Sequence, residues 1–366
     1  MKMKTSRIIA TIAASFFIGS TLHAQAWKAK AISDMKKGDF AKVEQTISKL
    51  SQEEQNKHAW LIDSLQAMMS RIRDDFRLSR EEGKRLLLEK VPGATDKQID
   101  AWKQKKYLET RMIDGEERWF RKTISNFALL NKDVYPAEIV QGKKKEYAKV
   151  HPMCEHILTQ KLEENNTCDW KKVNATFYIE VPADAVPAGE TIKAWLPYPF
   201  DNGRQRNFQL LSSSSQATHS SGSLHHTVYM EQKAVKGQPT RFEMKFSYEV
   251  GAQVFHQADI LNNLKPYDKQ SDMYKKFTAQ ELPHMLVNKQ MKALAQKIVG
   301  AETNPVLQAS LIYDWISANY PWAGAIDYST IPCIPQYVLD INHGDCGQVT
   351  LLYISMLRSL GIPARW

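Results

Sequence analysis

The chain has 366 residues, with 49 Lys and Arg against 40 Asp and Glu, for a formal net charge of +9. That length is enough for two or three domains, and 43% hydrophobic residues with nine Trp supply apolar side chains for real cores. An intrinsically disordered chain, a collagen-like repeat and a small scaffold held by disulfides are all excluded, the last because only four Cys are present.

Residues 1–26 read as a secretory signal peptide. Lys2, Lys4 and Arg7 are a positive start, Ile8 to Gly19 is uncharged and mostly apolar, and Ala24-Gln25-Ala26 is a small-residue cleavage pattern. The apolar run is too short to span a bilayer, so no stable membrane insertion is expected after cleavage, and the destination is the periplasm or the cell exterior. Cleavage removes three positive charges and leaves +6, too mild a balance to imply a polyanionic partner. An oxidising compartment permits disulfides, so pairing of Cys154 with Cys168 stays open, as does pairing of Cys333 with Cys346.

Residues 27–168 read as a helical region. Phe40, Val43, Ile47 and Leu50, then Trp60, Leu61, Leu65 and Met68-Met69, recur at helical spacing and suggest two helices packed as a hairpin. Ser79 with Glu82 and Thr95 with Gln98 are capping-box spellings, and Asp114-Gly115 between Leu108 and Phe120 is a hairpin signal. Helix, turn, helix and hairpin outline a winged-helix-like unit. The basic residues there, from Lys103 to Lys122, alternate with Glu109, Glu116 and Glu117, so no clean phosphate track results and no nucleic-acid partner is expected. The Lys143-Lys144-Lys145 run reads as solvated surface, and a further helical stretch extends to about Leu162.

Residues 169–262 change to strand-like alternation, at Ala175–Val181, Thr191–Leu196 and Arg241–Tyr248, punctuated by Pro and Gly. A β-sandwich is expected, with Ser212 to Ser223 as a polar loop. From 263 the chain is helical again: His284 to Gly300, then Asn304-Pro305 through Ser317 with Leu307, Leu311, Trp315 and Ile316 on one side, and a last helix from about Cys346 to Leu360 that ends at Gly361. That last helix is apolar on most faces, which predicts burial.

His343-Gly344-Asp345-Cys346-Gly347-Gln348 leads into the buried helix. A thiol in a first helical turn sits near unpaired backbone N–H groups and the positive end of the helix dipole, and both favour thiolate. The same N–H groups can stabilise an oxyanion. Asp345 reads as a helix cap, while Gly344 and Gly347 keep the backbone open; Trp322 is a candidate for lining the same site. Cys346 could equally be a structural residue on this reading alone.

Gly344-Asp345-Cys346-Gly347, then Leu351-Leu352, Met356-Leu357-Arg358 and Leu360-Gly361-Ile362-Pro363-Ala364-Arg365, resembles the core signature of the bacterial transglutaminase-like superfamily, and Tyr313-Asp314-Trp315-Ile316 fits its exported multidomain members. The resemblance implies a multidomain α+β protein: a helical region with a winged-helix-like unit, a central β-sandwich, and in 263–366 the opening half of a papain-like domain. It also implies Cys346 as nucleophile in a Cys-His-Asp site acting on peptide or protein amides, by hydrolysis, deamidation or crosslinking. In the family the His and Asp lie on strands after the Cys helix, whereas this chain ends at Trp366, so the chain as given is expected to be inactive. The alternative is a non-catalytic exported module that binds or scaffolds.

No cofactor and no metal are expected. His151, Cys154 and His156 have a metal-like spacing without an evident fourth ligand, and His225 and His226 point to opposite faces of a strand. His343 is three residues from Cys346, poorly placed as its base, and His58, His219, His256 and His284 read as ordinary surface or core residues.

Overall fold

A computed structural model describes residues 26–131, 151–221 and 226–366. The signal-peptide reading up to residue 25, the Lys143-Lys144-Lys145 run and His225 lie outside the described residues. Among the described residues no helix is long and apolar enough to cross a membrane.

The described residues open with four helices where the spacing suggests two: α1 (26–37), α2 (Phe40–Ser48), α3 (Gln52–Lys57) and α4 (Ala59–Asp75). The break after α1 falls at Gly38, whose φ of +85° belongs to the left-handed region. A Cβ there would lie 2.0 Å from the Met112 carbonyl oxygen, so the main chain itself comes too close for any side chain. Next come β1 (Leu78–Ser79), α5 (Arg80–Lys90), α6 (Asp96–Gln104), β2 (Thr110–Ile113), β3 (Glu116–Trp119) and α7 (Thr123–Leu130). Both capping boxes form, Ser79 with Glu82 and Thr95 with Gln98. The hairpin turns at Asp114-Gly115, both at positive φ, and its strands join β1 in the order β1-β3-β2. Leu87, Ile99, Leu108, Trp119 and Phe127 form the small core beneath this sheet.

One compact unit lies between residues 141 and 265. After α8 (151–158), β4 (Thr167–Val181), β5 (Thr191–Pro197), β6 (Gln205–Ser213), β7 (Ala217–Ser221), β8 (His226–Lys233) and β9 (Thr240–Gln253) form two antiparallel three-stranded sheets, ordered β4-β9-β6 and β5-β8-β7. Ala194 and Leu196, Val228 and Met230, and Phe242, Met244 and Phe246 come from both sheets and share one apolar cluster. The stretch expected as a polar loop from Ser212 is instead the end of β6 and the edge strand β7. An edge strand of Thr, His and Ser shows no apolar alternation, and its pairing to β8, Thr218 to Tyr229 and His219 to Val228, is what holds it. The unit closes with α9 (Gln257–Asn262).

The C-terminal segment adds α10 (Asp272–Thr278), α11 (Lys289–Val299), α12 (Pro305–Asn319), α13 (Ile334–Ile341) and α14 (Cys346–Ser359). The first long helix of this segment starts five residues later than His284, because Asn288 caps α11 by accepting the Met291 N–H while Glu281 and Met285 bridge across the intervening turn. On α12 the buried positions are Ile312 and Ile316, and Leu311 is 40% exposed. Helix α14 is buried as expected, but by α11, α12 and α13. Arg358 fixes its far end, donating to the Ala364 and Ala279 carbonyls at 2.9 and 2.7 Å.

The two ends of the chain, on either side of the sheet unit, form a single compact body. The sequence-based division keeps 27–168 apart from 263–366, yet Ile62, Leu65, Met69, Phe76 and Phe120 belong to the same apolar cluster as Ile312, Val338, Leu351 and Leu352. The apolar faces of α1 to α4 and of the C-terminal helices are thus buried in one shared core.

Candidate functional site

The site is built on the first turn of α14. Asp345 caps it: the carboxylate accepts the Gln348 N–H at 3.0 Å, and the Gln348 side-chain carbonyl accepts the Asp345 N–H at 3.2 Å. This capping box takes up two donors and leaves the N–H groups at the very start of the helix outside the intrahelical ladder, next to Cys346. Cys346 is the first helical residue and is exposed. Gln348 is 1% exposed, and its side-chain amide N–H group has no partner among the described residues.

The segment around Trp322 runs beside this turn. Trp322 and Gly344 form a parallel bridge, with the Ala323 N–H donating to the Gly344 carbonyl at 3.1 Å. The Trp322 side chain is 57% exposed. Asn126 on α7 grips the same segment from below, donating to the Gly324 carbonyl and accepting the Gly324 N–H, both at 2.8 Å.

Tyr328 is the residue that sequence reasoning missed. Its hydroxyl donates to the Asp345 carboxylate, and a Cβ on Gly347 would lie 2.4 Å from that oxygen, so the phenol rests directly on the turn. Burial, the hydrogen bond to Asp345 and the charges of Asp345 and Cys346 push the phenol far above its ordinary range, so it stays protonated and acts as a donor. A short turn at Tyr328–Thr330 presents it, capped by Asp327, whose carboxylate accepts the Ser329 N–H at 2.9 Å. The Asp-Tyr-Ser spelling is an Asx-turn signal that the sequence displays. Asp327 is in turn held by Asp75 of α4, which is 2% exposed: one carboxylate oxygen accepts the Asp327 N–H at 2.6 Å and the other accepts from Arg121 at 3.0 Å. That link spans 252 residues of sequence and has no local signature.

His343 does not serve the thiol. It is 4% exposed, its Nε2 faces the Lys106 carbonyl at 3.2 Å, and burial pushes its pKa down to about 4. A neutral ring in that position donates from Nε2. Cys333 precedes α13 as its half-buried cap residue, Cys168 is buried and Cys154 exposed, and all four thiols are free. Among the described residues no group of three or more His, Cys, Asp or Glu is placed to hold a metal ion, and His151 pairs with Glu155 at 3.4 Å.

Residues 292–366, from within α11 to the end of the chain, match the transglutaminase-like superfamily. An uncharacterized protein of Haemophilus influenzae is 31% identical over 88 residues, a stretch that covers 23% of this chain and 23% of that protein's own length. The crystal structure of a Cytophaga hutchinsonii protein, whose assignment as a cysteine protease is provisional, shows a TM-score of 0.39 at 18% identity, covering 54% of this chain and 66% of that one. A TM-score of 0.39 at 18% identity does not establish a shared fold. The family match gives residues 292–366 a transglutaminase-like character, in a chain whose described residues form both helices and sheets.

Proposed function

We propose that this member of the transglutaminase-like superfamily, identified by residues 292–366, uses Cys346 as the nucleophile in acyl transfer from, or hydrolysis of, peptide or protein amides. The observation that carries the reading is the position of Cys346: an exposed thiol at the head of a buried helix, in the segment the family model covers. The Cys346 sulfur attacks the amide carbonyl carbon and loses its proton. First-turn N–H groups of α14 stabilise the oxyanion, the amine leaves carrying a proton, and the acyl group remains on sulfur as a thioester. Water then yields the acid, or a second amine yields a new amide. His343 is not the proton carrier of this scheme, because its ring is buried and spent on Lys106.

The finer architecture belongs to the same proposal. The α5–α6–β2–β3 segment is read as a winged-helix-like unit and the two three-stranded sheets as a β-sandwich, in a protein exported to the periplasm or beyond. No nucleic-acid partner is proposed: Lys103, Arg118 and Arg121 are each paired to a carboxylate, on Glu117, Glu116 and Asp75.

Per-residue alkylation with iodoacetamide tests the central claim. Cys346 should react much faster than Cys333. Equal, slow labelling of both would sink the nucleophile and favour the non-catalytic binding module.

A further inference from the structure

A carboxylate immediately before a nucleophilic thiol is a liability, since a negative charge at that position opposes thiolate formation. The fold answers it with donors. The Asp345 carboxylate accepts hydrogen bonds from the Gln348 N–H at 3.0 Å and from the Tyr328 hydroxyl, and the phenol lies so close to the turn that a Cβ at residue 347 would sit 2.4 Å from its oxygen. Among the described residues the titratable groups packed on or beside this turn include Asp345 itself, Tyr328 from the 328–330 turn and Lys122, whose side chain lies against Gly324 on the neighbouring segment, while His343, three residues earlier, faces the Lys106 carbonyl.

The position of Tyr328 is imposed from the other end of the chain. Asp75, buried on α4, accepts the Asp327 N–H at 2.6 Å; Arg121 holds Asp75 at 3.0 Å; and Arg71, on the same helix, donates to the Ser329 hydroxyl at 2.6 Å. Two side chains of α4 thus grip the residues on either side of Tyr328.

We propose that Tyr328 and Asp75 are positioning residues for Cys346: α4 fixes the 328–330 turn, and the Tyr328 hydroxyl, by donating to Asp345, offsets the carboxylate beside the thiol and sets the pH range in which the thiolate forms. The N-terminal helices are then part of the site although none of their side chains meets a substrate. The inference rests on the reading of Cys346 as nucleophile, and one experiment separates the two.

The whole chain is alkylated with iodoacetamide between about pH 5 and 10, and labelling at Cys346 and Cys333 is followed by mass spectrometry in the wild type, Tyr328→Phe, Asp75→Ala and Asp75→Asn. Tyr328→Phe removes one hydroxyl and should raise the Cys346 midpoint by about 0.5 to 1 pH unit, which lowers the labelling rate below the midpoint roughly three- to tenfold, with Cys333 unmoved. Asp75→Ala should shift Cys346 in the same direction, and Asp75→Asn, whose side-chain carbonyl still accepts the Asp327 N–H, should restore most of the wild-type value. A Tyr328→Phe midpoint that coincides with the wild type overturns the proposal, whether or not Asp75→Ala folds. The nucleophile reading fails on a different measurement, equal and slow labelling of Cys346 and Cys333 in the wild type; the difference between wild type and Tyr328→Phe is read independently of it.

Discussion

Asn126 holds Gly324 by both edges of its side-chain amide, at 2.8 Å each, across 198 residues of sequence. Both residues are buried, so the Gly324 N–H and carbonyl have no water to fall back on. Replacing Asn126 by Ala should therefore cost about 2 to 4 kcal/mol, since two buried polar groups lose their partners. Chemical denaturation measures this, and a loss under ~1 kcal/mol would show that the two groups find other partners.

The glycines offer a graded comparison. Gly38 and Gly93 both have positive φ, +85° and +81°, yet a Cβ at Gly93 meets nothing within 4 Å while one at Gly38 would lie 2.0 Å from a main-chain oxygen. Gly93→Ala should cost about 1 kcal/mol, the strain of the left-handed conformation alone. Gly38→Ala must also separate α1 from the β2 strand, and should lose at least ~3 kcal/mol or fail to fold. Equal melting temperatures for the two variants would contradict the close approach at Gly38.

At Gly347 the obstacle is a side chain. Alanine there would place its Cβ 2.4 Å from the Tyr328 oxygen, so the phenol has to leave Asp345. The expected cost is about 1 to 3 kcal/mol, and in a double-mutant cycle with Tyr328→Ala the second substitution should relieve the first, giving a coupling of at least ~1 kcal/mol. Additive losses would place Tyr328 away from the turn.

Local chemistry explains which of these features could be read beforehand. Ser79, Thr95 and Asp345 each lie three residues before a Glu or Gln, and Asp114-Gly115 tolerates positive φ, so three helix starts and a hairpin are written in stretches of four residues. Cys346 is legible because the helix start and the apolar run after it lie in one segment. Strands β6 and β7 are not, because their outward and edge positions carry Ser, Thr, His and Gln, and their order depends on pairing with distant strands. The links from Asp75 to Asp327 and from Asn126 to Gly324 are invisible for the same reason: a buried carboxylate or amide has no sequence pattern that names its partner.

Glu109 and His343 line one cavity of about 200 Å³ together with Tyr337 and Lys106, and their titrations act on stability with opposite signs. Burial raises the Glu109 carboxyl from the ordinary 4.5 to about 7 even though the Tyr337 hydroxyl donates to it. The folded protein therefore binds the extra proton more tightly than the unfolded chain. The associated stability is present below about pH 4.5 and is lost as pH rises through about 7. His343 is the reverse case, lowered by burial from the ordinary 6.5 to about 4, so its neutral form favours the folded state and stability is lost as pH falls from 6.5 towards 4. Between about 4.5 and 6.5 the two slopes oppose, and the wild type should show little net dependence from this pair. Glu109→Gln removes one slope and keeps a hydrogen-bonding side chain against Tyr337. The difference in unfolding free energy between variant and wild type should then rise across that window, by an amount on the order of 2 kcal/mol after allowance for water reaching the cavity. Urea denaturation of both proteins at pH 5 and pH 7 gives the sign directly, and a difference that stays flat or falls with pH would mean that Glu109 is ionised throughout.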